Sequence, residues 1–492
     1  MLDISKGKIR PTIKHFTEWL NLLNSASLVP KEFYPIVNQR VLFRFRNELS
    51  LLYTGEGFTS LKAIHNSFEA LLKVKRSEKL KAILKGLLFF GATLFILVFF
   101  WRFRKIGKVN LLYNPPVSVR SKAERFSLYR FLKSPRFGFN YSNVFIVQDR
   151  KLSLRGCWDR KVVPVFSIDL YLVSILSLGE RCKFVVKSCS NLFTFFRLVR
   201  INPTVIYSYR EFILSIPSSQ LAINRGAISE ICLNNSNYLS QPTTFHLRSE
   251  HVKAYMLWYS DNSFSKYRDL SLSKFDYSAF GLAKVDCHYV WTKEFASFLS
   301  QFTKALVKNV GSILFYESES TDLSHYSTLT EKKASIDVLV FDVIPFEQSN
   351  NYDYYTKKRA FNFLFGIQQL FQDLKNSNST FQPNFAIKHK RKLDPKHSKE
   401  YPSLVNSLIY PQGKWEMIPE NSNIYDLIRN AKLVVVPPFT SPAIVAKELG
   451  VPSCFLDLGT NPTEFENYCG IPVFRNYEAF SSFATRVLKS NL

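Results

Sequence analysis

Apolar positions along the chain change their spacing as it proceeds. Up to about residue 80 they recur every three or four residues, as in FTEWLNLLNS (Phe16–Ser25) and SLKAIHNSFEALLKVKRSEKLKAILK (Ser60–Lys85). That period predicts amphipathic helices. From about Asn140 the pattern becomes short runs rich in Val, Ile, Phe and Tyr: NVFIVQD, KFVVKS, TVIYSY, AYMLWYSDNS, CHYVWT and VGSILFY. Read as strands separated by helical stretches, these runs predict βαβ units and a largely parallel sheet. The stretch ESESTDLSHYSTLTEKKAS (Glu317–Ser335) has no apolar period and reads as a linker.

A second alternation follows. DVLVFDVIP predicts a strand, YYTKKRAFNFLFGIQQLFQDLKNS a long helix, and NFAIKHKRK a strand that ends in bases. NIYDLIRNA, KLVVVPP, SPAIVAKELG and SCFLDLG then predict helix, strand, helix and strand. The expected fold is α/β, with two tandem Rossmann-like domains and an N-terminal helical, membrane-associated region. The expected boundaries are 1–110 for the helical region, 140–316 for the first domain, 317–335 for the linker and 336–492 for the second domain. In open α/β sheets ligands sit at the carboxyl ends of strands, which selects the loops to inspect.

Within the helical region KAILKGLLFFGATLFILVFFWRFRK (Lys81–Lys105) stands apart. Its uninterrupted apolar run, Gly86–Trp101, reaches about 24 Å as a helix, short of the roughly 30 Å hydrocarbon core. Counting from Ala82, with Lys85 snorkelling, a membrane segment over 82–101 reaches about the full thickness. Both flanks are basic, so charge gives no orientation. Three readings stay open: a spanning helix, a hairpin or monotopic helix in the cytoplasmic leaflet, and a buried core helix.

Charge sharpens this picture. Lys+Arg number 65 against 39 Asp+Glu, a formal net charge of +26, which calls for a negative partner or surface. No zinc-finger, RNP, KH or basic-zipper pattern is present, so nucleic acid is not the expected partner. Anionic membrane lipid and phosphorylated substrates fit better. The seven cysteines lack CxxC spacing and read as reduced thiols of a cytosolic compartment. The first 30 residues hold no long apolar run of the secretory-signal type.

Three constellations can carry chemistry. In VVVPPFTSPAIVAKELG, Ser441 suits a helix N-cap and Pro442 the first helical position, yet Ile444 stands where a capping box needs Glu or Gln. No acid of the chain competes for the helix end, so its N–H groups and the Thr440 and Ser441 hydroxyls can hold a phosphate, a contact of about 0.3–2 kcal/mol. An ordinary strand-to-helix turn accounts for the same residues. In NFAIKHKRKLDPKHSKE, Lys388, His389, Lys390 and Arg391 fall where a strand leaves its sheet, although a solvated charged face has the same pattern. In MLWYSDNS, Asp261 ends a strand run and can serve as a general base, or simply as turn chemistry; Glu230, Glu250 and Asp342 have similar standing. No HExxH, Walker or zinc-spaced set occurs; a metal site is not expected, with a loosely held Mg²⁺ left open.

The succession VLVFDVIP, YYTKKRAFNFL, FAIKHKRK, VVVPPFTSPAIVAKELGVPSCFLD resembles bacterial polysaccharide-biosynthesis proteins of the GT-B glycosyltransferase type. YMLWYSDNS, HYVWTKEFASFL and VGSILFY are similar to the same proteins, so the likeness covers about Thr244–Val473 and, more faintly, the chain from about Asn140. It implies two facing Rossmann-like domains, a nucleotide-sugar donor mainly in the second, and a role in lipopolysaccharide O-chain or capsule synthesis. By position it makes Pro438, Phe439, Thr440 and Ser441 the phosphate turn and Lys388 to Arg391 the basic strand end. Related enzymes that use CMP-sugars often have His-Pro after such a strand; here it is His389-Lys390, so a CMP-linked donor is only suggested.

The expectation is a metal-independent glycosyltransferase at the cytoplasmic face of the inner (plasma) membrane, needing no cofactor beyond its nucleotide-sugar substrate and acting on a polysaccharide or lipid-linked glycan. The alternatives are a polyol-phosphate transferase or sugar epimerase of the same fold, and a non-catalytic polysaccharide assembly protein.

Overall fold

The structure, a computed structural model, describes residues 13–27, 29, 31–45, 61–99, 107–113, 134, 136–140, 142–148, 162–234, 241–258, 260, 277–313, 336–345, 356–377, 383–389, 397–409, 415–419, 422–459 and 465–489. Two compact units divide the chain. Met1–Trp258, Lys274–Tyr289 and Ser297–Lys308 form the first; Tyr259–Ser273, Val290–Ala296 and Asn309–Leu492 form the second. The linker expected over 317–335 lies outside the described residues.

The first unit opens with four helices, α1 (Ile13–Ala26), α2 (Tyr34–Arg44), α3 (Leu61–Leu71) and α4 (Arg76–Phe99). The apolar stripes of α1 to α3 close on one another through Phe16, Trp19, Leu20, Val41, Leu42, Ile64 and Phe68. A chain of buried amides ties them to the rest: Asn202 Nδ2 donates to Asn24 Oδ1 (2.7 Å), Asn24 Nδ2 to Asn38 Oδ1 (2.8 Å) and Asn38 Nδ2 to Asn21 Oδ1 (2.7 Å). Satisfied buried polar groups of this kind fix register as well as energy.

The first sheet and the elements along it follow as β1 (Val109–Tyr113), β2 (Val144–Gln148), β3 (Val162–Val165), α5 (Ile168–Ser174), α6 (Leu178–Ile201), α7 (Ile216–Asn224), β4 (Ile228–Asn234), α8 (Thr243–Leu247), β5 (Lys253–Leu257), β6 (Cys287–Val290), α9 (Lys293–Leu299) and β7 (Leu306–Asn309), with Val290–Ala296 and Asn309 counted in the second unit. The sheet order is β3-β2-β1-β4-β5-β6-β7, with parallel pairing from β3 through β6. Its inner strand β1 begins at Val109, inside the span read as helical and ahead of the expected domain start at residue 140.

Two expected strands are helical. KFVVKS lies inside α6, which Ser177 and Glu180 open with a reciprocal capping box, so the helix is committed before the β-branched run is reached. TVIYSY forms a 3₁₀ turn over Pro203–Ser208, with the Asn202 side chain accepting from Thr204 N–H. In place of VGSILFY the edge strand is β7, one step earlier; Leu314–Tyr316 lie outside the described residues.

The spanning reading of 82–101 also needs correction. Among the described residues no helix is long and apolar enough to cross a membrane. One face of α4 packs into the protein instead. Ala82 is buried against Phe195, Leu198 and Phe212, and a Cβ at Gly86 would stand 3.3 Å from the Phe195 ring.

The second unit contains β8 (Ile336–Asp342), α10 (Lys357–Ser377), β9 (Phe385–His389), α11 (Glu400–Ile409), β10 (Trp415–Ile418), α12 (Ile424–Arg429), β11 (Ala431–Val436), α13 (Ser441–Glu448), β12 (Ser453–Leu456), β13 (Asn467–Tyr468), β14 (Ile471–Phe474) and α14 (Tyr477–Lys489). Its order is β10-β9-β8-β11-β12-β14-β13, parallel except for the β13–β14 pair. Val338, Val340, Ile387, Leu433 and Val435 meet Ile367, Leu370 and Phe371 of α10 and Phe480 of α14 in the core. α10 lies so close to the end of β12 that a Cβ on Gly366 would come within 2.5 Å of Leu458 Cδ1. Each unit is therefore a doubly wound α/β sheet, the tandem Rossmann-like pattern.

Candidate functional site

In the second unit the chain winds from β8 outward through β9 and β10, then returns across β8 to β11 and continues the other way. The connections after β8 and β11 thus leave on opposite sides, and a crevice opens between the carboxyl ends of these two strands. A shallow recess open to solvent occupies it, lined by Asp342 and Val343 after β8, Pro437 and Pro438 after β11, Asp457 and Leu458 after β12, Arg359 of α10 and Tyr401 of α11.

Its polar groups are held in pairs. Asp342, the last residue of β8, is buried, and its Oδ2 lies 2.7 Å from His389 Nδ1 at the end of β9. The parallel register sets Asp342 directly beside His389, which is why the two side chains meet. The carboxylate fixes the imidazole orientation and keeps the proton on Nδ1. The His389 ring also packs edge-on against Tyr401, 5.9 Å between centroids. Across the recess Arg359 Nη1 reaches Asp457 Oδ1 at 3.2 Å, and both side chains are largely withdrawn from solvent. Two buried polar atoms remain without a hydrogen-bond partner: Asp342 Oδ1 and the Tyr401 hydroxyl. Orphaned buried acceptors and donors are costly, so a recess lined with them suits a hydroxyl-rich or amide-bearing ligand.

The Pro-Phe-Thr-Ser turn joins β11 to α13. Phe439 adopts a left-handed conformation (φ 58°), costly for a side chain with a Cβ. Burial of its ring holds it there: Phe439 is fully enclosed, 4.6 Å from Tyr468 and 5.5 Å from Phe455 between centroids. Thr440, not Ser441, is the N-cap residue. Its hydroxyl turns back to donate to Pro437 O at 2.9 Å, leaving α13 without a side-chain cap. Ser441 becomes the first helical residue, half-exposed, and the first turn carries no acid. The N-cap expected at Ser441 is thus corrected: Thr440 holds that position, and its hydroxyl is spent on Pro437 O.

The other expected site residues divide. Lys388 is buried, its Nζ donating to His389 O at 3.4 Å. Lys390, Arg391 and Asp261 lie outside the described residues. Glu230 stands near the amino end of β4, opposite Lys253 at the start of β5, so it is at the wrong edge of the sheet for a ligand. Burial raises its pKa, and its carboxylate anchors Asn140 N–H at 3.0 Å. Glu250 is exposed in the turn before β5. Of these acids only Asp342 reaches a carboxyl edge among the described residues. Among the same residues no group of three or more His, Cys, Asp or Glu is arranged to hold a metal.

Sequence reasoning missed Arg359, Tyr401 and Asp457. One signal was available: Lys357, Lys358 and Arg359 crowd the first turn of α10, where cations oppose the helix dipole. Such a cluster suggests bases kept for something other than the helix.

No curated protein matches the chain. Among solved structures it is similar to the UDP-GlcNAc 2-epimerase of Methanocaldococcus jannaschii, with 10% identity over 78% of this chain and 92% of that one, at a TM-score of 0.40. It is also similar to the wall teichoic acid polymerase TagF, with 9% identity over 85% and 93% of the two chains, at a TM-score of 0.38. The UDP-GlcNAc 2-epimerase of Neisseria meningitidis gives 8% identity over 78% and 92%, also at 0.38. Residues 209–483, more than half of the chain and including the Pro438-Phe439-Thr440-Ser441 turn, match the family model described as "Polysaccharide biosynthesis PFTS motif protein", and the chain belongs to that family.

Proposed function

We propose that the chain is a glycosyltransferase of polysaccharide biosynthesis. It takes a sugar from a nucleotide-sugar, with a CMP-linked donor the first to test, and passes it to a growing surface polysaccharide such as a lipopolysaccharide chain, or to another lipid-linked glycan. The observation that carries this reading is the uncapped, acid-free start of α13, built by the family's own motif beside the switch-point recess.

In this reading the donor phosphate sits on the N–H groups of the first turn of α13, where the helix dipole favours negative charge. Lys388, His389, Lys390 and Arg391 add positive charge at the neighbouring strand end. Asp342 Oδ1, buried and unpartnered, accepts from a donor hydroxyl. As the glycosidic bond breaks, charge grows on the departing phosphate. Dipoles and bases aimed there stabilise the transition state more than the bound donor, without a metal. Asp261 takes the proton from the acceptor hydroxyl as general base. The reaction takes place at the cytoplasmic face of the plasma membrane, where a chain of net charge +26 is attracted to anionic lipid.

The test is the thermal stability of the purified protein against CMP, CDP, UDP, GDP and dTDP, since a ligand that binds only the folded state raises Tm. Stabilisation by one nucleotide, lost in His389→Ala, supports the donor site and names its base. No shift from any of them at concentrations well above millimolar overturns it.

A further inference from the structure

α4 and α6 leave an unusual surface. Among the described residues fourteen large hydrophobic side chains are left exposed, and nine of them belong to these two helices, five on α4 and four on α6. On α4 they follow a helical period: Leu84, Leu88 and Phe95 share one side, opposite the buried Ala82, Gly86 and Thr93. On α6 Val186 and Phe193 do the same, 69% and 73% exposed. The two helices are antiparallel neighbours. Lys79 Nζ donates to Arg200 O at 3.2 Å near one end, and near the other Leu97 packs against the core cluster that includes Phe184.

The charges on these helices are mostly positive. α4 carries four Lys or Arg against one Glu, and α6 five against one. Lys81, Lys85, Lys183 and Arg197 are exposed beside the apolar stripes. Exposed apolar stripes on neighbouring helices, bordered by bases, mark an interaction site. A second copy of the chain would bring the same positive face against itself, which is unfavourable. A spanning insertion is blocked because the opposite side of α4 is part of the protein core. An anionic bilayer satisfies both features: hydrocarbon covers the leucines and phenylalanines, and headgroups meet the bases.

We infer that α4 and α6 together form a monotopic docking face that lies in the interface of an anionic bilayer. The inference rests on the part of the proposed function that puts the chain at a membrane, and it assigns the surface that does so.

The test is co-sedimentation of the purified full chain with vesicles of phosphatidylglycerol and phosphatidylcholine, and with phosphatidylcholine alone. The wild type is expected to bind the anionic vesicles more strongly, and less so at high salt. Leu84→Ser/Leu88→Ser/Phe193→Ser should lower the partition coefficient at least tenfold. Lys81→Glu/Lys85→Glu/Arg197→Glu should abolish the preference for anionic vesicles. All six residues are exposed, so both variants should keep the melting temperature and the nucleotide-induced shift of the wild type. If both variants bind like the wild type, this face is not the docking surface, while the membrane reading stands. If the wild type binds neither vesicle, both fall, and the nucleotide experiment still decides the donor site by itself.

Discussion

The two sheets share the order of their first five strands, yet their carboxyl edges differ among the described residues. In the first unit the described side chains at the carboxyl ends of β1 and β5 are packed and hydrogen-bonded. Tyr113 is buried and shares a 2.8 Å hydrogen bond with Thr244, and Trp258 Nε1 donates to His288 Nδ1 at 3.2 Å beneath the Phe280 ring. In the second unit the carboxyl ends of β8 and β11 border a recess lined by polar pairs. Strand order selects where a ligand can bind; the side chains at that edge decide whether there is room and chemistry for one. Among the described residues, the second unit has a recess at this edge and the first has packed side chains.

The largest expected effect tests whether the open edge depends on its packed underside. Phe439→Ala removes the ring that holds a left-handed turn in place and should cost about 3–5 kcal/mol. Thermal unfolding should show the second unit melting early while nucleotide binding disappears. Intact binding at unchanged Tm would mean that the turn holds itself.

The closed edge should be sensitive to acid. Burial, with Lys284 and Arg40 nearby, lowers the pKa of His246 from 6.5 to about 3, and burial lowers that of His288 to about 4. Both fold as neutral rings. Unfolding lets them take protons below pH 6.5, so their contribution is present above that pH and is lost as pH falls towards about 3 to 4. The loss should amount to a few kcal/mol. His246→Phe should shift the acid limb of a Tm-against-pH curve downward, and an unmoved limb would place the acid sensitivity elsewhere.

Much of the second unit was legible because its runs agree at every level. DVLVFD, NFAIKH and KLVVV each form a strand, with PP, SP and G at the boundaries where the chain must turn. The first unit was harder. KFVVKS has strand composition but belongs to a helix fixed by the Ser177–Glu180 box upstream, and Val109–Tyr113 was hidden behind the basic end of the apolar segment. A short apolar run does not reveal its period. At the site, sequence could single out the motif turn and the basic strand end, since both are contiguous. It could not join Asp342 to His389 or Arg359 to Asp457, because 47 and 98 residues separate the partners and only sheet register, for the first, and helix packing, for the second, bring them together.

Two hydrogen-bond deletions sharpen the contrast between the edges. Asp342→Asn keeps the shape but replaces part of the acceptor that faces the recess and weakens the hold on His389. Nucleotide-sugar affinity should fall about 10–100-fold, equivalent to about 1.4–2.8 kcal/mol. Tyr113→Phe removes the bond to Thr244 and should cost about 0.5–1.5 kcal/mol of stability with donor affinity unchanged. Equal effects of both on affinity, measured by titration calorimetry, would erase the distinction between a receiving and a packing edge.

The smallest change in stability gives the cleanest separation. Ser441→Asp puts a carboxylate at the first position of α13, where no acid now stands. The helix dipole should welcome it, and stability should rise by about 0.3–1 kcal/mol. If that helix end exists to hold a donor phosphate, the same substitution occupies the site with the chain's own anion and repels the ligand. Stability and nucleotide binding should therefore move in opposite directions: a higher Tm without nucleotide, and no further rise when nucleotide is added. A purely structural turn predicts the first change without the second, because a turn with no ligand has nothing to lose from the added charge. The sign of one difference, Tm with nucleotide minus Tm without, thus decides whether the motif is a binding element or only a connection between β11 and α13.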